Sequence, residues 1–192
     1  MGSLDKQEKL IVRELIRDPR ISDNQIAHIT QVPLKTVNRK RKSLEEGNIL
    51  AYYTYLDTTM HGTGAFSARH LYLISLKSGI TRQRALTIMQ QDTPFLFSLS
   101  KHILLSYIGE RDGHIVLVYV IESRTDEDIV EIYNADIVSQ IHRKLGEQAI
   151  ANVEVIKLSY LHRLLHNYIP SLNMKDGKLS PTWSNDLIFV DD

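Results

Sequence analysis

The chain has 192 residues, of which 43% are hydrophobic and 24% charged, so it is long enough for one large domain or two small ones and too apolar for a disordered protein. No apolar run approaches the roughly 20 residues that cross a bilayer, the first residues lack the pattern of a secretion signal, and cysteine is absent. We therefore expect a cytoplasmic protein with no membrane segment, disulfide or thiolate metal site.

The first fifty residues predict three short helices, at about Leu4–Arg17, residues 22–30 and about Leu34–Glu46. Ser22 precedes Gln25 by three residues, the spacing of a capping box at a helix start. Val37 and Leu44 are two helical turns apart and predict the inward face of the third helix. Three helices of this length and order indicate a helix-turn-helix module.

Positive charge is concentrated in the third helix. The net charge of the chain is zero, but five bases fall within eight residues: Lys35, Arg39, Lys40, Arg41 and Lys42. Such clustering on one element is typical of contact with nucleic-acid phosphates. A solvated helix face is the alternative interpretation.

The remainder of the chain predicts a second module. Residues 49–57 are rich in strand-forming side chains, and residues 58–64 suit a linker. A strand-helix-strand-strand-helix-strand order follows, at Arg69–Leu76, Thr81–Gln91, Ile103–Ile108, Ile115–Ile121, residues 125–145 and Val153–Leu158, with a turn from Gly109 to Gly113. This is the order of ferredoxin-like folds. Residues 159–168 could form a helix that ends before Pro170.

The fold class is therefore predicted as α+β, with an N-terminal winged helix-turn-helix and a C-terminal ferredoxin-like βαββαβ domain. The domain boundaries are residues 1–50 for the helix-turn-helix domain, 51–64 for a strand and linker, and 65–158 for the ferredoxin-like domain. Residues 159–192 form a C-terminal extension to which no role is assigned.

The third strand of the second module predicts an assembly surface. Residues 115–121 are apolar at every position, which is typical of a strand buried on both faces. A ferredoxin-like domain has helices on only one face of its sheet. We therefore expect a second subunit to cover the other face and give a homodimer or higher oligomer, with the C-terminal tail as the alternative cover.

Several short patterns make the chain resemble the Lrp/AsnC family of leucine-responsive and asparagine-synthetase regulators. The patterns are Leu4-Asp5 before an amphipathic helix, Arg20-Ile21-Ser22 at the second helix, Leu44-Glu45-Glu46 at the end of the third, Tyr53-Thr54 after it, and Gly109 with Asp112 between two strands. The chain departs from the family at three positions. Gln31 replaces a turn glycine, Pro33 replaces the serine that caps the third helix, and Arg41 replaces an apolar residue. The resemblance covers residues 4–158 and implies a transcription regulator that binds double-stranded DNA.

The outward side chains of the third helix are the candidate DNA-binding residues: Lys35, Thr36, Asn38, Arg39 and Lys42. In a helix-turn-helix this helix lies in the major groove. Arg39 suits guanine and Asn38 suits adenine, while the two lysines suit phosphates. Helix-turn-helix modules that bind only proteins are the alternative.

The resemblance also implies an amino-acid effector site at the subunit junction, near Gly109 and Asp112. The alternative is an ordinary hairpin turn that aspartate stabilises. His162 and His166 are four residues apart but lack a third ligand, so we expect no metal, and no cofactor or catalytic motif is indicated.

The sequence is compatible with two other functions. One is an enzyme similar to the siroheme decarboxylases, which share this architecture, although their histidine-asparagine-tyrosine cluster after the second strand is absent here. The other is a metabolite-binding module that does not bind DNA.

Overall fold

The computed structural model describes residues 3–59, 62–89 and 100–190. The chain forms two compact units. One unit contains the residues up to 55 together with those from 161 onward, and the other contains residues 56–160. Within the described residues, no helix has both the length and the apolar character that a membrane span requires.

The N-terminal unit begins with three helices, α1 (Lys6–Arg17), α2 (Asp23–Thr30) and α3 (Leu34–Glu46), close to the predicted bounds. Both α1 and α2 start at capping boxes, formed by Asp5 with Glu8 and by Ser22 with Gln25. The helices enclose a core of Ile11, Leu15, Ile26, Val32 and Val37. The caps define where α1 and α2 begin, and the apolar contacts between the three helices then set the position of α3.

Gln31 occupies the turn between α2 and α3 in a left-handed conformation, with φ of 59°. This region is unfavourable for residues other than glycine, which explains why a glycine is expected at the position. The Gln31 amide donates a 2.6 Å hydrogen bond to the carbonyl oxygen of His28. The turn thus keeps its shape without glycine.

The prediction of a strand at residues 49–57 was wrong: in the described part of the chain these residues lie outside any strand. Tyr53 and Leu56 in this stretch are largely exposed. A strand needs a partner backbone for its hydrogen bonds, and strand-forming side chains alone do not supply one.

The second unit has the predicted ferredoxin-like order. Its elements are β1 (Ala68–Leu76), α4 (Arg82–Leu86), β2 (Ile103–Arg111), β3 (His114–Ser123), α5 (Asp126–Ile132), α6 (Ser139–Leu145) and β4 (Ile150–Lys157). The short 3₁₀ turn Thr87–Met89 follows α4, and the π-helical segment Tyr133–Val138 joins α5 to α6. The last two residues of the predicted helix Thr81–Gln91 lie outside the described residues.

The four strands form one antiparallel sheet in the order β2-β3-β1-β4. Alternate side chains of β1 and β3, including Tyr72, Ile74, Leu117 and Tyr119, pack on the helices. The side chains on the other face contribute nothing to this core. We call that second surface the open face; its apolar members are Leu71, Leu73, Leu105, Tyr107, Val116, Val118, Val120 and Ile156.

The C-terminal residues fold back onto α1. The predicted helix at residues 159–168 was wrong, because Leu164 and Tyr168 instead form an isolated β-bridge. Pro170 begins the short helix α7 (Pro170–Asn173), since proline suits the first position of a helix. Two short strands, β5 (Met174–Lys175) and β6 (Lys178–Leu179), follow, and then the 3₁₀ turn Asn185–Leu187.

This C-terminal segment is attached to α1 by polar and apolar contacts. Arg17 donates 2.6 Å hydrogen bonds to the side chain of Asn185 and to the carbonyl oxygen of Trp183. The Tyr168 hydroxyl donates to the carbonyl oxygen of Ile16 at 3.1 Å. Three apolar side chains of the segment are buried: Ile169, Leu179 and Ile188. The extension, to which the sequence assigned no role, is therefore part of the helix-turn-helix unit.

Candidate nucleic-acid interface

Helix α3 presents one face to the core and the other to solvent. Val37 and Leu44 are buried, as the two-turn spacing predicts. The predicted reading residues Lys35, Asn38, Arg39 and Lys42 are exposed, and Thr36 is half-buried. The exposed face is therefore polar and basic.

Lys40 does not belong to that exposed face. Its side chain is only 8% exposed, and its Nζ contacts Asp5 and lies 3.1 Å from an oxygen of Glu8. The hydrogen bonds that Lys40 donates to Asp5 and, to a smaller extent, to Glu8 outweigh the effect of burial and raise the pKa of Lys40 above its ordinary value. Lys40 thus joins α3 to the first turn of α1 and is withdrawn from any DNA contact.

Arg41 is also engaged within the unit, which explains the departure from an apolar residue. Its guanidinium donates to Asp23 at 2.8 Å and to Glu45 at 2.9 Å. It also lies 5.3 Å from the centre of the Tyr52 ring, where a cation–π contact is favourable. Burial disfavours the charged form, but the hydrogen bonds to Asp23 and Glu45 offset it, so the pKa of Arg41 is raised.

Tyr52 closes this cluster from the segment that follows α3. Its hydroxyl donates to Glu45 at 3.0 Å. Burial and this hydrogen bond raise the pKa of Tyr52 to about 12, so the phenol stays protonated at neutral pH. Within residues 49–57, Tyr52 therefore packs over Arg41 instead of belonging to a strand.

The basic footprint that the sequence predicts is consequently smaller than five residues. Lys42 has only a surface ion pair, 3.6 Å from Glu46, with both side chains mostly exposed. Such pairs contribute little and exchange readily for a phosphate. Lys35, Arg39 and Lys42 are thus the bases of α3 that remain on its exposed face.

Asn38 has a partner that the sequence does not reveal. Its amide nitrogen donates a 2.5 Å hydrogen bond to Asp23, fifteen residues earlier. Spacing along the chain gives no signal for this contact, because it depends on how α2 and α3 pack. The capping pattern of Asp5 and Glu8, in contrast, is visible in the sequence.

Of the two predicted effector residues, Asp112 lies in the turn between β2 and β3 and Gly109 does not. The turn is not the five residues from Gly109 to Gly113, because β2 continues to Arg111. Asp112 and Gly113 alone form the turn. Both have positive φ, as a favoured type of two-residue β-hairpin turn requires at its central positions. Gly109 lies within β2, opposite Val116 on the open face.

The two histidines considered for metal binding do not share a helix. His162 lies in an irregular stretch, and the ring of His166 packs 5.0 Å from that of Phe189. Across residues 3–59, 62–89 and 100–190, no group of three potential ligands could hold a metal ion.

Comparisons with known proteins agree with this architecture. Residues 4–50 match a family model described as winged helix-turn-helix DNA-binding. A sequence search of curated proteins finds no match. Solved structures give clear likenesses at low sequence identity.

Three of these structures illustrate the range. AsnC of E. coli is 14% identical, with a TM-score of 0.58, over 85% of this chain and 97% of that one. LrpC of B. subtilis is 14% identical, with a TM-score of 0.55, over 83% and 97%. A transcriptional regulatory protein of the AsnC family from Pyrococcus furiosus is 15% identical, with a TM-score of 0.54, over 82% and 91%.

At these identities the likeness concerns the fold, and at that level it confirms both the resemblance and the fold class predicted from the sequence. The match at residues 4–50 independently covers α1, α2 and α3. The chain therefore has the fold of the Lrp/AsnC regulators, and its first fifty residues carry a helix-turn-helix of the DNA-binding type.

Proposed function

We propose that this chain is a sequence-specific DNA-binding regulator of transcription that acts in the cytoplasm and reads the major groove with α3. One observation carries the proposal: the exposed face of α3 holds Lys35, Arg39 and Lys42, while four nearby carboxylates are paired with Lys40 and Arg41, namely Asp5, Glu8, Asp23 and Glu45. Glu46 shares this surface, but its ion pair with Lys42 is solvent-exposed and therefore weak. A basic surface of this kind attracts phosphates. The regulators of similar fold support the same conclusion.

The direct test is selection of bound sequences from random duplex DNA, followed by affinity measurements on the selected duplex. We expect R39A/K42A to weaken binding and to reduce its salt dependence. K77A/K101A removes the same charge from two exposed lysines of the other unit and should leave both unchanged. Equal binding by wild type and R39A/K42A would show that α3 is not the reading element.

We further propose that the chain assembles as a homodimer or larger oligomer through the open face. The centre of this face is apolar, and Leu105, Tyr107 and Ile156 leave 46%, 62% and 48% of their surface exposed. Ion pairs between Arg69 and Glu122 and between Arg111 and Glu154 flank it. An apolar centre with a polar rim is the usual anatomy of an interface.

The alternative cover for this face, the C-terminal tail, is engaged in the N-terminal unit through Arg17 and Tyr168. Within a single chain, Val116 and Val120 of β3 are already buried. The side chains of Leu105, Tyr107 and Ile156 on the adjacent strands remain about half exposed to solvent. A second copy of the same face would bury them. Sedimentation at micromolar concentration tests this, and a clean monomer would contradict it.

A small amino acid or related metabolite is proposed as effector, bound near Gly109 and Asp112. At Gly109 the open face has no side chain, so a ligand can approach the β2 backbone, and Asp112 can accept a hydrogen bond from an ammonium group. Ligand and DNA would then change each other's affinity by the same factor. Thermal unfolding with each of the twenty amino acids tests this: stabilisation should occur and should disappear in D112A, and stabilisation that survives places the ligand elsewhere.

This proposal describes a regulator and not an enzyme. A siroheme decarboxylase would carry a haem-like absorption spectrum after purification. A colourless protein that shifts duplex DNA would exclude that alternative and also the metabolite-binding module that lacks DNA binding.

A further inference from the structure

The side chain of Asn38 is held by Asp23 before any DNA is present. Asp23 is the first residue of α2, and Asn38 lies in the second turn of α3. One carboxylate oxygen of Asp23 accepts from the Asn38 amide at 2.5 Å, and the other accepts from Arg41 at 2.8 Å. Both oxygens of the carboxylate are therefore engaged with α3.

The chemistry of this contact fixes which way the Asn38 amide points. An ionised carboxylate can only accept hydrogen bonds, so it must face the amide nitrogen and not the amide oxygen. The contact uses one of the two N–H bonds. The amide oxygen and the second N–H remain for an external partner.

Asp23 is itself rigidly placed. Arg41, which holds its second oxygen, is bound by Glu45 at 2.9 Å and covered by the Tyr52 ring. Asp23 is only 22% exposed. The order Tyr52, Arg41, Asp23, Asn38 is thus a continuous series of contacts that ends at an exposed side chain of α3.

We propose that Asp23 is a positioning residue that fixes the Asn38 amide for recognition of adenine, and so determines one base of the DNA site. An acceptor and one donor, side by side, complement the amino group and N7 of adenine in the major groove. If the amide were rotated by half a turn, its N–H group would face the adenine amino group, and two hydrogen-bond donors would meet. This inference rests on the proposed DNA-binding function.

The test measures base preference on the selected duplex, with each base pair replaced in turn. N38A should abolish the preference for adenine at a single position. D23A should reduce the adenine preference at the same position by about fourfold, because two helical χ1 wells and two amide orientations become accessible to Asn38. Preferences at other positions should stay unchanged. D23A/N38A should lose no more than N38A alone.

Two controls separate positioning from stability and charge. E14A removes an acidic side chain from α1 of the same unit and should leave all base preferences intact. The capping hydrogen bonds of α2 come from Ser22, so D23A keeps the start of α2, but Arg41 loses one of its two carboxylate partners and retains Glu45. Should D23A unfold earlier, D23N keeps the size of the side chain but has one accepting oxygen for two donors, and it should show the same local loss of preference.

The outcomes are distinct. A wild-type protein that binds no duplex removes the proposed function itself. A wild type that binds, with full adenine preference in D23A and D23N, overturns the role of Asp23. A loss spread evenly over all positions, together with a lower unfolding temperature, would make Asp23 merely structural and would also overturn it.

Discussion

The buried Lys40 and the exposed Lys42 provide a sharp test of which charges on α3 meet DNA. The two residues are neighbours in sequence and carry the same charge, but Lys40 is 8% exposed and Lys42 is 75% exposed. Each phosphate contact contributes about 0.9 to the slope of log affinity against log salt concentration. We expect K42A to reduce the slope by about 0.9 per bound protomer and K40M to leave it unchanged.

The magnitude is measurable. When the salt concentration rises from about 50 to about 200 mM, each phosphate contact accounts for about a 3.5-fold loss of DNA affinity. K40M should fold, because Asp5 still accepts from the backbone of Gln7 and Glu8 at 2.9 Å. Fluorescence anisotropy of a labelled duplex across this salt range is the assay. An equal slope reduction in K40M and K42A would refute the division between buried and exposed bases.

Three further outcomes follow from packing and ionisation. V118D places a charge at the centre of the open face, and sedimentation should show a smaller species or aggregated, unfolded protein. I188A removes a buried side chain of the N-terminal unit and should lower the free energy of unfolding of that unit by about 2–5 kcal/mol, as urea titration would report. Asp126 has its pKa lowered by the hydrogen bonds from Lys157 and then His70. Its contribution to stability is present above its unfolded pKa of 3.8 and is lost as pH falls through the lower folded value, so D126N should flatten the fall in unfolding temperature between about pH 5 and about pH 2.

Local patterns in the sequence predict the helices of the N-terminal unit and the order of the ferredoxin-like unit well. The capping pair Ser22 and Gln25 and the spacing of Val37 and Leu44 are short-range signals, and the structure confirms them. Such signals depend only on residues within two helical turns. They can therefore be recognised without knowledge of the tertiary fold.

The partners of the basic residues could not be predicted in this way. Lys40 contacts residues more than thirty positions earlier, and the Asp23 contact of Asn38 spans fifteen positions. A run of bases looks the same in sequence whether its members are exposed or paired. Only the packing of α3 on α1 and α2 separates the two cases.

The strand predicted at residues 49–57 failed for a related reason. Side chains such as Tyr52 and Tyr53 favour an extended backbone, but they do not specify a neighbour for it. The helix predicted at residues 159–168 failed because Leu165 takes a left-handed conformation, with φ of 59°, which breaks helical hydrogen bonding. Neither feature leaves a periodic signal.

The position of residues 161–190 beside α1 has a consequence for how the protein is made. Domains tend to fold as units while the chain is being synthesised from its N-terminus. Here the second unit, residues 56–160, is synthesised before the segment that supplies Ile169, Leu179 and Ile188 to the N-terminal unit. The ferredoxin-like unit can thus fold on the ribosome while the helix-turn-helix unit is still incomplete. If the proposed assembly through the open face is correct, a nascent chain would meet its partner before its helix-turn-helix unit is complete.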